Sequence, residues 1–221
     1  MRDYVVQQTL ENGLIAIIRG MDENLILPLA EALYSGGVKM VEVTFNQSKP
    51  DTFESTARAI AVMRERLAGK IIPGAGTAFT PKQVELAAEA GAMYIVSPHT
   101  DADVIRKTRE LGLVSMPGAL TASEAAVAYN AGADFVKLFP AGSLGPGYLK
   151  ALCAPLAHLR FLAVGGIDLN NAADFIRAGA VGLGVGGNLV NKEWIETGQF
   201  GKITDLAAKL NAVVQSALKK G

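Results

Sequence analysis

The sequence feature that most constrains the fold is a unit that recurs eight times along the 221 residues. Each unit has a short apolar run, a turn, and an amphipathic segment that in most cases closes on a glycine. The apolar runs lie at 14–19, 40–45, 71–77, 93–96, 113–116, 134–139, 161–164 and 181–185. Strands that alternate with helices are typical of a parallel sheet covered by helices. The pattern predicts a (β/α)8 TIM barrel with a short N-terminal helix, built by residues 1–221 as a single domain.

The segments between the runs are predicted to be helices. They lie at 24–34, 51–67, 80–91, 101–111, 121–132, 170–178 and 202–218. The run at 71–77 is a weak strand because it contains a proline and two glycines. The alternative fold is an open doubly wound sheet, which places a glycine-rich phosphate turn after its first strand. The first run here ends in the residues RGMD at 19–22, so the barrel is favoured.

Composition excludes several classes of protein. Lysine and arginine total 21 and match the 21 aspartates and glutamates, so no basic excess predicts a nucleic-acid or membrane surface. The single cysteine, Cys153, excludes an intrachain disulfide and a multi-cysteine metal site. Residues 1–12 are too polar for a signal peptide, and no apolar run is long enough to span a membrane. We expect a cytoplasmic protein.

The most informative side chain is Lys137, in the run FVKLFP at residues 135–140. Strand alternation puts Phe135, Lys137 and Phe139 on one face, and the other face is apolar as well. A lysine in such a strand loses hydration, which lowers its pKa and favours the neutral amine. A neutral amine attacks ketones to form a Schiff base. The alternative is a lysine at a strand end whose ammonium group extends to water.

A carboxylate is predicted on the same inner surface. Alternation places Glu42 and Thr44 on the inner face of the second strand, with apolar residues facing the helices. A buried carboxylate is costly unless it is paired or functional. Glu42 is therefore a candidate general acid and base with a raised pKa. The alternative is a structural ion pair with Lys137 or Arg19.

Two more polar residues end strands, and catalysis in barrels is located at the carboxyl-terminal ends of the strands. Arg19 can grip a carboxylate or phosphate through two hydrogen bonds, or it can form a surface pair with Asp22 or Glu23. Thr77 follows a glycine-rich turn, where it can bind substrate or cap the next helix. Together with Glu42 and Lys137, these groups can hold a small oxo-acid.

Glycine pairs follow the seventh and eighth strands, at 165–166 and 186–187, with Asn188 next in sequence. Glycine lets backbone N–H groups approach an anion, and barrels often bind phosphate at this position. The alternative is a pair of plain tight turns. No spacing of histidine, aspartate and glutamate predicts a metal site, and no serine–histidine pairing predicts a hydrolase.

Five stretches together resemble the class I 2-dehydro-3-deoxy-phosphogluconate/phosphogalactonate aldolase family, which includes 4-hydroxy-2-oxoglutarate aldolase. The stretches are IAIIRG at 15–20, VEVT at 41–44, GAGT at 74–77, KLFPA at 137–141 and VGGI at 164–167. The resemblance implies that Lys137 is the Schiff-base lysine and Glu42 the proton-transfer residue. It also implies a homotrimer that uses no metal or organic cofactor.

The resemblance also implies a substrate-binding set. Arg19 and Thr77 would bind the oxo-acid, and Gly165, Gly166 and Gly187 would form the phosphate site. The remaining candidates for substrate contact are Asn46, Phe139 and Asn188.

Two positions depart from the gluconate-type pattern. Asn46 stands where many such members have an arginine that helps hold the pyruvate carboxylate, and galactonate-type members are similar to this chain there. Gly187 stands where many members have a serine in the phosphate turn, so the backbone donors remain but a hydroxyl is lost. These departures bear on the identity of the substrate and leave the aldol chemistry intact.

The predicted function is Schiff-base cleavage of a 2-dehydro-3-deoxy-6-phospho sugar acid, of gluconate or galactonate type, to pyruvate and glyceraldehyde 3-phosphate. One alternative is a 4-hydroxy-2-oxoglutarate aldolase that gives pyruvate and glyoxylate. A second is an isomerase or epimerase that uses Glu42 as base without a covalent lysine. A third is a non-catalytic barrel that binds sugar-acid phosphates.

Overall fold

A computed structural model describes residues 1–21 and 23–219, in which strands and helices alternate. The strands are β1 (Leu14–Arg19), β2 (Met40–Thr44), β3 (Ile72–Gly76), β4 (Tyr94–Val96), β5 (Val114–Met116), β6 (Gly118–Ala119), β7 (Val136–Leu138), β8 (Phe161–Val164) and β9 (Ala180–Val185). The helices are α1 (Arg2–Asn12), α2 (Glu23–Ser35), α3 (Phe53–Arg66), α4 (Pro81–Glu89), α5 (Ala102–Glu110), α6 (Ala122–Asn130), α7 (Ala141–Leu144), α8 (Pro146–Cys153), α9 (Ala172–Arg177), α10 (Lys192–Glu196) and α11 (Phe200–Leu218), with a 3-10 turn at Pro50–Thr52.

The nine strand segments form one parallel sheet, in the order β5-β4-β3-β2-β1-β9-β8-β7-β6. The two segments at the ends of this order, β5 and β6, are separated only by Pro117. β5 pairs with β4 and β6 pairs with β7, and the Lys137 amide donates to the Pro117 carbonyl at 2.8 Å. The chain path through β5 and β6 therefore acts as the fifth of eight barrel strands, which confirms the predicted barrel.

Alternation along the strands separates an inner core from an outer one. Ile15 and Ile17 of β1 belong to a cluster inside the barrel, whereas Leu14, Ala16 and Ile18 pack toward the helices. Two-faced burial explains why most strands read as continuous apolar runs.

The predicted N-terminal helix is confirmed as α1, which closes one end of the barrel. Val5 is fully buried in the inner cluster. Arg2 pairs with the buried carboxylate of Asp134, which also accepts from Arg109 and from the Ser115 amide at 2.9 Å. This end lies opposite the one that carries the polar strand ends.

The structure differs from the sequence prediction in two ways. β3 is a fully buried strand although it contains a proline and two glycines, because neighbouring side chains occupy the space that the glycines leave. Three short helices, α7, α8 and α10, were not predicted. Of these, α8 begins at Pro146, with Gly145 as its N-cap, and a proline at the first helical position is a start signal that could have revealed it.

The longest helix, α11, packs beside α2 and α9 on the outside of the barrel. Its Thr204 hydroxyl donates to the Ala32 carbonyl at 3.0 Å. Gly36, just after α2, allows this approach: a Cβ there would lie 2.4 Å from the Ala207 Cβ and 2.7 Å from the Thr204 carbonyl oxygen. No helix within 1–21 and 23–219 combines the length and hydropathy that a membrane crossing requires.

We expect Gly36→Ala to lower the free energy of unfolding by about 1–3 kcal/mol, because its methyl group would overpack the contact between α2 and α11. Gly201→Ala, at an open position in α11 with nothing within 4 Å, is the matched control. It should leave stability unchanged or raise it by up to about 1 kcal/mol. Urea denaturation of both variants measures the difference, and equal stabilities would contradict the packing argument.

Candidate active site

Lys137 lies inside the barrel with only 6% of its surface exposed. It shares the inner face of the β7 region with Phe135, while Val136 and Leu138 pack outward. Its Nζ atom lies 4.9 Å from the centre of the Phe139 ring. The side chain is therefore buried and does not extend to water. Burial lowers the pKa of Lys137, the charge of Glu42 opposes this change, and Arg19 adds to it.

Glu42 is buried in β2 with 2% of its surface exposed. Gly76 of β3 makes room for it: a Cβ on Gly76 would lie 1.7 Å from the Glu42 Oε1 atom. Burial raises the pKa of Glu42, and the positive charges of Lys137 and Arg19 oppose this increase. No ion pair within 4.0 Å joins Glu42 to either cation. The structural salt bridge considered from the sequence is not formed.

A cleft of about 490 Å³ opens at the carboxyl-terminal ends of the strands and reaches Lys137. Seven of the ten predicted site residues line it, namely Arg19, Lys137, Phe139, Gly165, Gly166, Gly187 and Asn188. Its wall also contains Met21, Val190 and Lys192, which the sequence interpretation did not select. The structure thus brings an amine, a guanidinium group and two glycine turns to one opening.

The glycine turn after β8 is built from backbone that only glycine adopts easily. Gly165 and Gly166 have φ values of 89° and 73°. The Gly142 amide donates to the Gly165 carbonyl at 2.7 Å, and the Asn188 side-chain amide donates to the Ile167 carbonyl at 2.9 Å. The Asn188 bond ties the turn after β9 to the turn after β8. No heavy atom lies within 4 Å of a Cβ placed on Gly187, so that turn is open.

Thr77 directly follows β3 in a conformation that is rare for a β-branched residue, with φ at 56°. The side-chain amide of Gln47 donates to the Thr77 carbonyl at 2.6 Å and helps to hold the turn. Thr77 does not cap the following helix, since the Thr80 hydroxyl accepts from the Gln83 amide in a capping box. A left-handed residue held beside the barrel mouth is typical of a strained functional position.

Asn46 lies apart from the cleft that contains Lys137. It lines a neighbouring cavity of about 490 Å³, and Met21 borders both spaces. The Asn46 Oδ1 atom accepts hydrogen bonds from the Ser48 amide at 3.1 Å and the Ser48 hydroxyl at 2.7 Å. Its side chain therefore stabilises the turn after β2 in this structure.

Arg19 stands at the exposed end of β1 and lines the cleft. It forms no ion pair within 4.0 Å to any carboxylate in the part of the chain that the structure describes. The surface pair with Asp22 or the Glu23 side chain, considered from the sequence, lies outside the described residues. Across 1–21 and 23–219, no group of three or more histidine, cysteine, aspartate or glutamate side chains could hold a metal.

Two polar residues of this region were missed from the sequence. Lys192 stands in the cleft wall at the start of α10. The sequence did not indicate it because it is separated along the chain from the glycine turn at 186–187. Tyr94 is completely buried inside the barrel. Strand alternation could have indicated an inward tyrosine, but the short run at 93–96 gave no sign that its hydroxyl lies near a carboxylate.

The family model for KDPG and KHG aldolase matches residues 5–206 of the chain. The chain belongs to this family. It is 37% identical over 177 residues to the 2-dehydro-3-deoxy-6-phosphogalactonate aldolase of Escherichia coli strain K12, a match that covers 80% of this chain and 83% of the relative. The family recognised from the five motifs is confirmed, and the chain is an aldolase, a carbon–carbon lyase.

Solved structures agree with this assignment. A structure described as native KDPGal matches with a TM-score of 0.83 and 33% identity, covering 93% of this chain and 96% of that chain. The KDPG aldolase from Legionella pneumophila, with pyruvate captured at low pH as a covalent carbinolamine intermediate, also has a TM-score of 0.83, at 26% identity, covering 93% of this chain and 97% of that chain.

We expect the Lys137 amine to titrate at lower pH than exposed lysines, because burial disfavours its charged form. Competitive acylation at a series of pH values, read by peptide mass spectrometry, gives the titration midpoint, with exposed Lys150 as the internal reference. Glu42→Gln should lower the Lys137 midpoint further, because it removes the negative charge that favours the ammonium form. A Lys137 midpoint equal to that of Lys150 would show that burial does not act on the amine.

Proposed function

We propose that this aldolase cleaves a 2-dehydro-3-deoxy-6-phospho sugar acid, of gluconate or galactonate type, to pyruvate and glyceraldehyde 3-phosphate. The observation that carries the proposal is a buried amine, Lys137, that lines an open cleft and interacts electrostatically with a buried carboxylate, Glu42. A neutral amine is needed for attack on a ketone, and a carboxylate with a raised pKa can both accept and return a proton. Lys137 would supply the nucleophile and Glu42 the proton-transfer group.

The first half of the reaction makes an electron sink. The neutral Lys137 amine attacks the C2 ketone, and the resulting carbinolamine loses water to give a protonated imine. Glu42 carries protons to and from the oxygen during this step, through a water where the distance requires one. The L. pneumophila relative, captured with pyruvate as a covalent carbinolamine, supports an intermediate of this kind here.

The second half breaks and remakes bonds at C3. Glu42 accepts the proton of the C4 hydroxyl, the C3–C4 bond breaks, and its electron pair moves into the imine to form an enamine. C4 leaves as the aldehyde carbon of glyceraldehyde 3-phosphate. Glu42 returns the proton to C3, and hydrolysis of the imine releases pyruvate and the free Lys137 amine.

The cleft is suited to a substrate with an anion at each end. Arg19 would bind the carboxylate of the oxo-acid, with Thr77 positioned at the mouth and Phe139 over the amine. The Asn46 Oδ1 atom is held by Ser48, so a contact between Asn46 and the substrate would use its side-chain N–H groups.

The phosphate end would lie at the two glycine turns, where Gly165, Gly166 and Gly187 leave the backbone accessible and Asn188 fixes the second turn. The lost serine hydroxyl at Gly187 would be offset by Lys192, a cation in the same wall. A dianionic phosphate gains from such a charge even near solvent.

The buried amine also separates this proposal from its alternatives. An isomerase or a sugar-acid-binding barrel needs no desolvated lysine, and membership of the aldolase family argues against both. A 4-hydroxy-2-oxoglutarate substrate would use the same amine but leave the glycine turns empty.

We further propose a cytoplasmic homotrimer formed by one domain of residues 1–221 without metal or organic cofactor. Exposed apolar side chains such as Phe79, Leu120 and Val127 are available for subunit contacts.

Borohydride reduction in the presence of pyruvate tests the Schiff base. We expect one pyruvate-derived adduct, located on Lys137 by peptide mass spectrometry, because among the lysines that the structure describes only this one combines burial with access to the cleft. Lys137→Met should abolish both the adduct and the cleavage of substrate.

Lys150→Met, at an exposed position in α8, is the matched control and should keep both. A folded wild-type protein that gives no adduct, or a Lys137→Met variant that keeps its turnover, would refute the aldolase mechanism and favour the isomerase or binding alternatives.

Lys192→Ala tests the phosphate end. We expect KM for the phosphorylated substrate to rise roughly tenfold with little change in kcat, because the lost contact acts on binding more than on the transition state. KM for 4-hydroxy-2-oxoglutarate should not change. Lys202→Ala, which removes an exposed cation that lies over Trp194, is the control and should leave both values unchanged. An unchanged KM in Lys192→Ala would exclude Lys192 from the phosphate site.

A further inference from the structure

The barrel interior contains a phenol hydroxyl that has no partner. Tyr94 is 0% exposed, and its Oη atom forms no hydrogen bond with any described residue. A buried polar group without a partner costs about 1–3 kcal/mol. Phenylalanine would fill the same space without that cost, so the retained oxygen calls for an explanation in terms of the site.

The direction of the Tyr94 side chain follows from the register of three strands. Glu42 of β2 pairs with Gly74 of β3, and Gly74 pairs with Tyr94 of β4. A Cβ on Gly74 would lie 2.3 Å from both Cζ and Cε2 of Tyr94. The ring therefore lies across Gly74, and its hydroxyl points from β4 over β3 toward β2.

The two glycines of β3 hold two different side chains. Gly74 accommodates the Tyr94 ring, and Gly76 accommodates the Glu42 carboxylate. The Tyr94 ring and the Glu42 carboxylate therefore lie side by side over the inner face of β3, because Gly74 and Gly76 are two residues apart on that strand. Burial raises the pKa of Tyr94 well above its usual range, and the charge of Glu42 acts on the hydroxyl in the same direction. The phenol therefore keeps its proton and is always a possible donor.

We propose that Tyr94 is a positioning residue for the proposed proton-transfer step, in which its hydroxyl donates a hydrogen bond to the charged Glu42 carboxylate, directly or through one bound water. This inference rests on the proposed function of Glu42. A hydrogen bond to the charged form favours that form. Tyr94 would thus keep Glu42 available as a base and hold the carboxylate in one orientation.

The other charges around Glu42 cannot substitute for this contact. The titratable groups that face it in the described structure are Lys137 from β7, Arg19 from β1 and Tyr94 from β4. Lys137 must lose its charge to act as the nucleophile, and it is then consumed in the imine. The phenol is the one of the three that is buried, neutral and unchanged throughout the reaction.

Tyr94→Phe tests the proposal because it removes one oxygen and keeps the ring. On the acidic side of the pH profile, we expect kcat for cleavage to fall by about two- to tenfold, because Glu42 is then protonated to a greater extent. The plateau at higher pH should change less, and KM should stay constant. Tyr129→Phe, at an exposed position in α6, is the control and should leave the profile unchanged.

A double-mutant cycle shows whether the effect acts through Glu42. On the Glu42→Gln background, Tyr94→Phe should cause no further loss, because the charged acceptor is already absent. Carboxyl NMR of the resting protein, which needs no turnover, should show Glu42 titrating at higher pH in Tyr94→Phe. This readout decides the role of Tyr94 even if cleavage of the proposed substrate is not observed.

A different set of results for Tyr94→Phe would contradict the proposal. If the hydroxyl has no partner in the working protein, Tyr94→Phe will have the wild-type pH profile and the wild-type Glu42 titration. It will also be more stable to urea, because it removes an unsatisfied buried group. That combination would overturn the proposal.

Discussion

The structure depends on two ionisable side chains, the amine of Lys137 and the carboxylate of Glu42, that are buried inside one barrel. Lys137 and Glu42 stand on strands that are far apart in sequence, and each pays a desolvation cost that the other only partly offsets. The same desolvation makes each group reactive, since it favours a neutral amine and a carboxylate that can take up a proton. Without a salt bridge within 4.0 Å, neither group is tied to the other.

Strand β3 is what allows this arrangement. By sequence it was a weak strand, since Pro73, Gly74 and Gly76 all disfavour strand structure. The structure shows why the chain tolerates them: side chains on Gly74 and Gly76 would collide with Tyr94 and Glu42. The local loss of strand propensity is offset by burial of the neighbouring groups. A poor strand in isolation is therefore the strand that shapes the site.

The sequence was sufficient to predict the barrel, its N-terminal helix and most of the cleft, because these depend on alternation and on strand ends. It could not reveal features that depend on contacts between distant segments. The position of Asn46 is fixed by its bonds to Ser48, and the left-handed Thr77 is held by Gln47. Lys192 enters the cleft from a short helix that periodicity does not detect. Tyr94 becomes notable only when the register of three strands is known.

The site also separates chemistry from recognition. Lys137 and Glu42 stand within strands, whose pairing on both sides fixes their backbone, whereas the proposed phosphate and carboxylate contacts are in turns after the strands. A substitution in a turn, such as glycine for serine at Gly187, changes a contact at the rim without moving the amine. The two departures from the gluconate-type pattern, Asn46 and Gly187, both lie in such turns. Substitutions in these turns can therefore change the contacts at the rim while the buried pair of Lys137 and Glu42 stays the same.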